Sequence, residues 1–206
     1  MMKLINKYFK ELTDIQRQQF ELLGPLYKEW NKKINVISRK DIDNIYEHHV
    51  LHSLAIAKEF HFKDGTNILD FGCGGGFPGI PLAILFPHCQ FKLIDGTGKK
   101  VMVAREIAKA IGLHNAAPVH LRGEEEKGLY DFVVSRAVMP LPDMFKIVKK
   151  NISKTMSNAH PNGVICLKGG QLAQELKPMG KQVEVIPVSN YFEEEWFKEK
   201  YIVYSY

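Results

Sequence analysis

The sequence predicts an α/β protein with a doubly wound, Rossmann-like sheet, a terminal antiparallel hairpin and an N-terminal helical extension. Three observations predict this fold. Short apolar segments alternate with helical segments from residue 64 onward. A glycine-rich turn at residues 72–76 joins the first of these segments to a helix start. Two segments near the end of the chain alternate apolar with polar side chains, which is the period of a strand with one buried face.

Residues 3–62 precede the sheet and have a helical period. Thr13-Asp14 is an N-cap signal, and Gly24-Pro25 predicts a kink in the helix that follows. The apolar face of that helix comprises Ile15, Phe20, Leu22, Leu23, Leu26, Tyr27 and Trp30. A further helical stretch is expected from Asp41 to Phe60. We therefore expect a helical cap over residues 1–63 and a cofactor-binding sheet domain over residues 64–206.

The sheet domain is expected to contain five strands that alternate with helices and a closing pair. The five strands are expected at Asn67–Phe71, Phe91–Asp95, Ala117–His120, Phe132–Ser135 and Val164–Lys168. The helices between them are expected at Ile80–Phe86, Lys99–Ile111, Leu141–Lys150 and Leu172–Met179. The closing antiparallel pair is expected at Gln182–Val188 and Lys200–Tyr204.

Composition excludes several classes of protein. The 206 residues are 45% hydrophobic and 25% charged, which are globular values. No apolar stretch is long enough for a signal peptide or a membrane span, so we expect a cytoplasmic protein. Cys73, Cys89 and Cys166 lack C-x-x-C spacing, and neither a zinc site nor a disulfide framework is expected. A net charge of +5 and a pI near 9.0 permit a polyanionic partner without requiring one.

Residues 67–79, NILDFGCGGGFPG, carry the strongest functional signal. Glycine is needed where a ligand lies against the backbone, and proline suits the first turn of a helix. This order of strand, glycine turn and helix start is typical of a nucleotide-type site at the carboxyl end of a parallel strand. Four glycines after an acid make a purely structural turn the weaker interpretation.

Two cofactor classes compete for this loop. Residues 74–79 fit the G-x-G-x-x-G pattern of dinucleotide sites. However, Asp70 precedes the glycines as D-x-G-x-G-x-G, and a carboxylate there would repel a pyrophosphate. S-adenosylmethionine has no phosphate, and an acid favours its cationic groups. The loop therefore favours S-adenosylmethionine, and an antiparallel pair after the fifth parallel strand is the usual ending of class I methyltransferase sheets.

Acidic residues at the next two strand ends support a nucleoside ligand. Asp95 ends the second strand about twenty residues past the glycines, where an acid accepts hydrogen bonds from ribose hydroxyls. Because both cofactors contain ribose, Asp95 does not choose between them, and a helix N-cap is its structural alternative. Gly123-Glu124 follows the third strand, at the height where class I methyltransferases contact adenine. Glu125 and Glu126 are better interpreted as solvated acids.

Ser135-Arg136-Ala137 ends the fourth strand. Methyltransferases that act on exocyclic amines commonly carry an Asn-Pro-Pro-Tyr type of motif there, and cytosine-C5 enzymes need a cysteine nearby. This chain has neither. Arg136 is suited to hold the cofactor carboxylate, an RNA phosphate or guanine O6. An ion pair between Arg136 and Glu124 is the structural alternative.

Basic residues predict a surface for RNA. The segment from Lys28 to Lys40 has a local charge of +4 and contains Trp30, which suits phosphate contacts and base stacking. Trp30 also falls on the apolar stripe and is expected in the core. The residues expected to contact RNA are Lys32, Lys33, Arg39, Lys99, Lys100 and Lys168. His48, His49 and His52 share one predicted helix without an acid cluster, and no metal site is expected.

With these motifs the chain closely resembles the RsmG (GidB) family of bacterial small-subunit ribosomal RNA guanine-N7 methyltransferases. The resemblance is carried by YKEWNKKIN at 27–35, DFGCGGGFPGIPLA at 70–83, LIDGTGKK at 93–100, DFVVSRA at 131–137 and Leu167–Gly169. It implies S-adenosylmethionine as cofactor and 16S ribosomal RNA as substrate, with no membrane or obligate protein partner. By the same resemblance the cofactor contacts are Gly72, Phe77, Gly123, Glu124 and Arg136, to which the loop and ribose patterns add Gly74 and Asp95.

The chain departs from the family pattern at three places. His52-Ser53-Leu54 stands where the family often has Asp-Ser-Leu, and Gly96 stands where it often has serine. Gly123 stands where alanine or valine is frequent, and a backbone contact would tolerate that change. The first departure leaves the role of its helix open, and none touches the glycine loop.

Guanine N7 has a free lone pair at neutral pH, so its methylation needs no general base and no catalytic residue is assigned. Alignment and exclusion of water are the main requirements. A small-molecule methyltransferase, an NAD-dependent oxidoreductase and a nonenzymatic RNA-binding module are the alternatives. The basic cap disfavours a small-molecule substrate, and the acid before the glycines disfavours NAD. The intact cofactor motif disfavours a nonenzymatic module.

Overall fold

The computed structural model describes residues 2–136 and 138–206, which contain one seven-stranded sheet. Its strands are β1 Asn67–Phe71, β2 Gln90–Asp95, β3 Ala116–His120, β4 Phe132–Arg136, β5 Gly163–Gly169, β6 Glu184–Pro187 and β7 Lys200–Ser205. The order across the sheet is β3-β2-β1-β4-β5-β7-β6. Strands β1 to β5 are parallel, and β7 is antiparallel to both β5 and β6. The predicted fold class, with its closing hairpin, is confirmed.

The α-helices are α1 Met2–Tyr8, α2 Asp14–Asn31, α3 His52–Leu54, α4 Ile56–Glu59, α5 Gly79–Leu85, α6 Gly98–Ala110, α7 Leu141–Val148 and α8 Ala173–Leu176. A 3₁₀-helix at Ile42–Asn44 and a π-helix at Ile45–Leu51 precede α3. The helical stretch expected from Asp41 to Phe60 is therefore present, but its type changes along the chain from 3₁₀ through π to α. This segment buries the side chains of Val50 and Leu51 in the core, and it also directs the His49 ring toward Arg136 at the end of β4.

Helix α2 begins with the capping box that Thr13 predicts. The Thr13 hydroxyl accepts the Gln16 amide, and the Gln16 side chain accepts the Thr13 amide. The helix continues through Pro25, which has no N–H for the carbonyl of Glu21. The Tyr46 hydroxyl donates to that carbonyl instead, at 2.8 Å.

The predicted apolar face of α2 is buried in part. Phe20, Leu23 and Tyr27 are fully buried, but Ile15 and Leu22 are exposed. The prediction that Ile15 and Leu22 belong to the buried face is therefore wrong. Helix α2 packs on α5 and α6 through a stripe that is narrower than the predicted apolar face.

The cap and the sheet share a hydrophobic core. One continuous cluster joins Phe20 and Val50 of the cap to Phe91 and Ile202 of the sheet. A second cluster lies on the other face of the sheet under α7 and α8. The boundary near residue 63 stays a prediction.

Helix α1 contacts the segment that precedes β7. The Tyr8 hydroxyl donates to Glu194 at 2.8 Å, and the Lys7 ammonium lies 2.9 Å from the same carboxylate. The two ends of the chain therefore meet. Among the described residues, no helix is both long enough and apolar enough to cross a membrane.

Candidate active site

The strand order reverses between β1 and β4, whose carboxyl ends lie side by side. Ligands of doubly wound sheets bind in the crevice that such a reversal creates. The glycine loop after β1 and Arg136 at the end of β4 both lie at this edge. Ala137, the last residue of the Ser-Arg-Ala motif, lies outside the described residues.

Contacts from two elements, β2 and α2, hold the glycine loop in place. The amides of Gly72 and Cys73 both donate to the Ile94 carbonyl at 2.9 Å. The Gly74 amide donates to Asp95 Oδ2 at 2.9 Å. From the cap, the Tyr27 hydroxyl donates to the Gly75 carbonyl at 2.7 Å. The loop is thus fixed by the cap as well as by its neighbouring strand.

Gly74 holds the loop in a left-handed conformation. Its φ is +54°, which residues with a branched side chain rarely adopt. No atom lies within 4 Å of the position that a β-carbon would occupy. The backbone of Gly74 therefore faces open space, where a ligand can approach it closely.

Asp70 is fully buried and forms its hydrogen bond inside the protein. Its Oδ2 accepts the amide of Gly79, the first residue of α5, at 2.7 Å. Burial raises the pKa of Asp70 to about 7, although the Gly79 hydrogen bond and Arg136 oppose the shift. The carboxyl group occupies the helix start at which a dinucleotide site would bind its pyrophosphate. A pyrophosphate would therefore meet the Asp70 carboxyl group at this helix start, which disfavours NAD for the reason given by the sequence.

A cleft of about 360 Å³ opens between the glycine loop and the loop after β3. Four of the predicted cofactor residues, Gly72, Asp95, Gly123 and Glu124, line this cleft. Gly74, Phe77 and Arg136 lie outside its lining and border the adjoining edge of the glycine loop.

The side chains of the cleft fit a nucleoside. Each oxygen of Asp95 accepts one backbone amide, from Gly74 at 2.9 Å and from Thr97 at 2.7 Å. A carboxylate offers about four acceptor positions, so capacity remains for ribose hydroxyls. Thr97, and not Asp95, directly precedes α6, which removes the N-cap alternative. Glu124 is exposed at the rim, and the apolar side chains of Leu121 and Met139 also line the cleft.

Arg136 points to the cap and not to Glu124. Its Nη1 donates to the His48 carbonyl at 3.2 Å, and its Nη2 lies 2.9 Å from His49 Nδ1. The guanidinium carbon is 5.0 Å from the centre of the Phe77 ring. Phe77 is buried against this group and against Tyr27. The ion pair with Glu124, considered as an alternative, is absent from the described residues.

Two of the predicted RNA-contacting residues share a concave surface. Lys32 and Arg39 are exposed and line a concavity of about 410 Å³ together with Lys28 and Asn31. Lys33 is exposed beside it, 3.3 Å from Glu29. The Lys33 ammonium also lies 5.0 Å from the ring centre of Trp30, which is half-buried on the apolar stripe.

The remaining basic residues differ in their surroundings. Lys99 is exposed and Lys100 is half-buried, both in the first turn of α6. The Lys168 side chain is only 10% exposed. Its ammonium donates to the Met139 carbonyl at 2.6 Å and lies 2.9 Å from Glu175. Lys168 is therefore held within the protein, which speaks against its predicted phosphate contact.

Sequence analysis missed the link between the cap histidines and β4. Asp41 pairs with both His48 and His49, and the His48 ring stacks on Trp196 with 4.2 Å between ring centres. His52 is buried beside Trp196, and its Nε2 has no partner among the described residues. No local spacing reveals this cluster, because Arg136 reaches it from 87 positions away.

The chain is similar to a known family and to its curated members. The family model for rRNA small subunit methyltransferase G matches residues 16–198. A protein of Bacteroides thetaiotaomicron named ribosomal RNA small subunit methyltransferase G is 61% identical over 99% of this chain and 99% of its own length. A protein of the same name from Christiangramia forsetii is 49% identical over 98% of this chain and 96% of its own.

Solved structures share the fold at low sequence identity. A SAM-dependent methyltransferase from Aquifex aeolicus gives a TM-score of 0.57 at 18% identity, over 82% of this chain and 98% of its own. Aeropyrum pernix fibrillarin, in complex with natively bound S-adenosyl-L-methionine, gives 0.56 at 10% identity, over 76% of this chain and 74% of its own. At these identities the likeness supports the fold alone.

Proposed function

Because the chain belongs to the rRNA small subunit methyltransferase G family, we propose that it transfers a methyl group from S-adenosylmethionine to N7 of a guanosine in 16S ribosomal RNA. Methylation of small-subunit ribosomal RNA follows from the family. The choice of guanine N7 is the finer step, and it rests on the residues at the end of β4.

The cleft fits the nucleoside part of S-adenosylmethionine. Asp95 would accept its ribose hydroxyls, and Gly123 and Glu124 would meet the adenine. Gly72, Gly74 and Phe77 would border the methionine part. Arg136 has N–H groups beyond the two that face His48 and His49, and these would hold the methionine carboxylate. When bound, the cofactor supplies the electrophilic methyl group.

The observation that carries the choice of N7 is the guanidinium at the end of β4. Enzymes that methylate exocyclic amines need acceptors there for the amine protons, whereas Arg136 offers only donors. Since N7 carries a lone pair, no residue has to remove a proton. The protein then has to align the base, shield it from water and hold Arg136 still.

The RNA surface would include the concavity of Lys28, Lys32 and Arg39, together with the exposed residues Lys33 and Lys99. Lys28 pairs with Asp43 at 2.7 Å, but both side chains are exposed, so the pair contributes little and can open. Phosphate contacts of this kind position RNA without reading its sequence.

Mass mapping of modified nucleosides tests this function. Ribosomal RNA from cells that lack the gene is incubated with the purified protein and S-adenosylmethionine, and its nucleosides are compared with those of untreated RNA. We expect one new 7-methylguanosine in the 16S RNA. Methylation of an exocyclic amine would refute N7, and an absence of any RNA product would favour a small-molecule substrate. Calorimetry with NADH should show no binding.

A further inference from the structure

We infer that His49 is a positioning residue for methyl transfer, whose neutral imidazole, anchored by Asp41, fixes the Arg136 guanidinium at the cofactor site. This inference deepens the proposed function and rests on it, because it assumes that Arg136 holds the cofactor carboxylate.

The contacts form a continuous chain from the cap to β4. Asp41 Oδ2 lies 2.7 Å from His49 Nε2, and His49 Nδ1 lies 2.9 Å from Arg136 Nη2. The Phe77 ring packs against both ends of the second contact, 5.4 Å from the His49 ring and 5.0 Å from the guanidinium. The cap thus determines where the guanidinium lies.

The hydrogen bonds that link Asp41, His49 and Arg136 allow only one placement of the imidazole proton. A guanidinium has donors and no acceptor, so His49 Nδ1 must be the acceptor. The single imidazole proton then lies on Nε2 and is donated to Asp41. A protonated imidazole would set an N–H against the N–H groups of Arg136 and break the contact.

The surroundings keep His49 neutral. Burial, and after it the charge of Arg136, lowers the pKa of His49 to about 4, while the Asp41 carboxylate opposes the shift. The titratable groups that face His49 are Asp41, His48 and His52 from the cap and Arg136 from β4.

The local backbone supports a functional role for this position. His48 and His49 lie in the π-helix Ile45–Leu51, and such turns occur often at functional sites. The carbonyl of one and the ring of the other both contact Arg136. Without the His49 ring, only one hydrogen bond, to the His48 carbonyl, and the Phe77 ring would restrain a side chain with many rotamers.

The first test reads the proton directly and needs no cofactor. Nitrogen-15 NMR of histidine-labelled protein, with His49 assigned from a His49→Asn sample, reports which ring nitrogen carries hydrogen. We expect hydrogen on Nε2 only, unchanged between pH 8 and pH 5.5. Hydrogen on Nδ1 at pH 7 would overturn the inference, whatever reaction the protein catalyses.

The second test separates positioning from a structural role through two ligands. S-adenosylhomocysteine carries the amino-acid carboxylate, and 5′-methylthioadenosine has the same nucleoside without it. His49→Leu removes the acceptor, His49→Asn keeps an acceptor near Nδ1, and His88→Asn changes an exposed histidine as the control. Calorimetry gives both affinities for each folded variant.

We expect His49→Leu to weaken S-adenosylhomocysteine about tenfold while methylthioadenosine is unchanged, since one charged contact is loosened. His49→Asn should recover part of the loss. An equal loss of affinity for both ligands, or no change in either affinity, would overturn the inference. The proposed function would still stand in that case, provided that the wild-type protein binds the ligands. Failure of the wild type to bind either ligand would instead refute the proposed function. If His49→Leu does not fold, the Asn variant and the NMR measurement decide.

Discussion

The Phe71 ring fills the space that a side chain at Gly123 would need. An ideal β-carbon on Gly123 would lie 2.0 Å from Phe71 Cε2. Both residues line the cleft, Phe71 at the end of β1 and Gly123 in the loop after β3. The absence of a side chain at Gly123 is thus matched by a large aromatic neighbour.

Gly123→Ala should therefore destabilise the protein by about 1–3 kcal/mol and weaken S-adenosylmethionine, because the ring must move into the cleft. Phe71→Leu should restore stability to the Ala variant. Thermal unfolding and calorimetry of the two single variants and the double variant measure the coupling. A Gly123→Ala protein as stable as the wild type would contradict this prediction.

Gly74→Val should lower cofactor affinity while the fold survives. The valine side chain would fill the open space from which a ligand approaches the backbone, and a branched residue at a φ of +54° also costs about 1–3 kcal/mol. Gly74→Asn is the matched control, because asparagine tolerates this conformation. Undiminished affinity in a folded Val variant would remove this loop from the cofactor site.

RNA binding should depend steeply on salt through Lys32 and Arg39. Changing both to glutamine should flatten the slope of log affinity against log salt by up to about two units, if each contacts a phosphate. Lys154→Gln with Lys181→Gln removes the same charge from other exposed positions and serves as the control. Filter binding measures both slopes, and equal slopes would place the RNA surface elsewhere.

Arg136→Ala should cost methylation by about 2–4 kcal/mol, and Arg136→Lys should recover only part, because an ammonium cannot make a planar two-pronged contact. Single-turnover rates at saturating cofactor across pH provide the measurement. The wild-type rate should show no ionisation of a base. A rise of slope one that disappears in Glu124→Gln would identify a general base and exclude the N7 mechanism.

Asp70 should make the protein less stable as the pH rises from about 4 to about 7. Its pKa is near 7 in the folded protein and 3.8 in its ordinary surroundings, so the folded state binds more protons across this window. The contribution of this group is therefore greatest at low pH and is lost as the pH increases. Asp70→Asn keeps an acceptor for Gly79 and should flatten the curve. Urea unfolding at a series of pH values compares the two proteins, and parallel curves would contradict the assignment.

The strands could be predicted because their signals are local. Alternation and glycine turns placed β1 at Asn67–Phe71 without error and β6 within two residues of each end. Asp95 and Glu124 were located by their distance from strand ends, and both line the cleft. Each of these features is determined by residues that lie close to it in the sequence.

Long-range contacts account for what the sequence did not reveal. The position of Arg136 depends on His49 and Asp41, which no pattern within one element connects. Lys168 has the charge of a phosphate ligand, but Glu175 and the Met139 carbonyl hold it in the interior. The apolar period of the residues in the π-helix fits an ordinary helix, and the distant neighbours of this segment are α1 and Arg136 at the end of β4.

The meeting of α1 with Glu194 sets an order of events during synthesis. Tyr8 leaves the ribosome long before its partner, which follows 186 residues later. At a typical elongation rate that interval is roughly 10–40 s. For that time α1 can contact only the cap segments that are made soon after it, among them Lys58, whose ammonium donates to the Tyr8 carbonyl at 2.6 Å. The contacts of Lys7 and Tyr8 with Glu194 close only after six of the seven strands have been made.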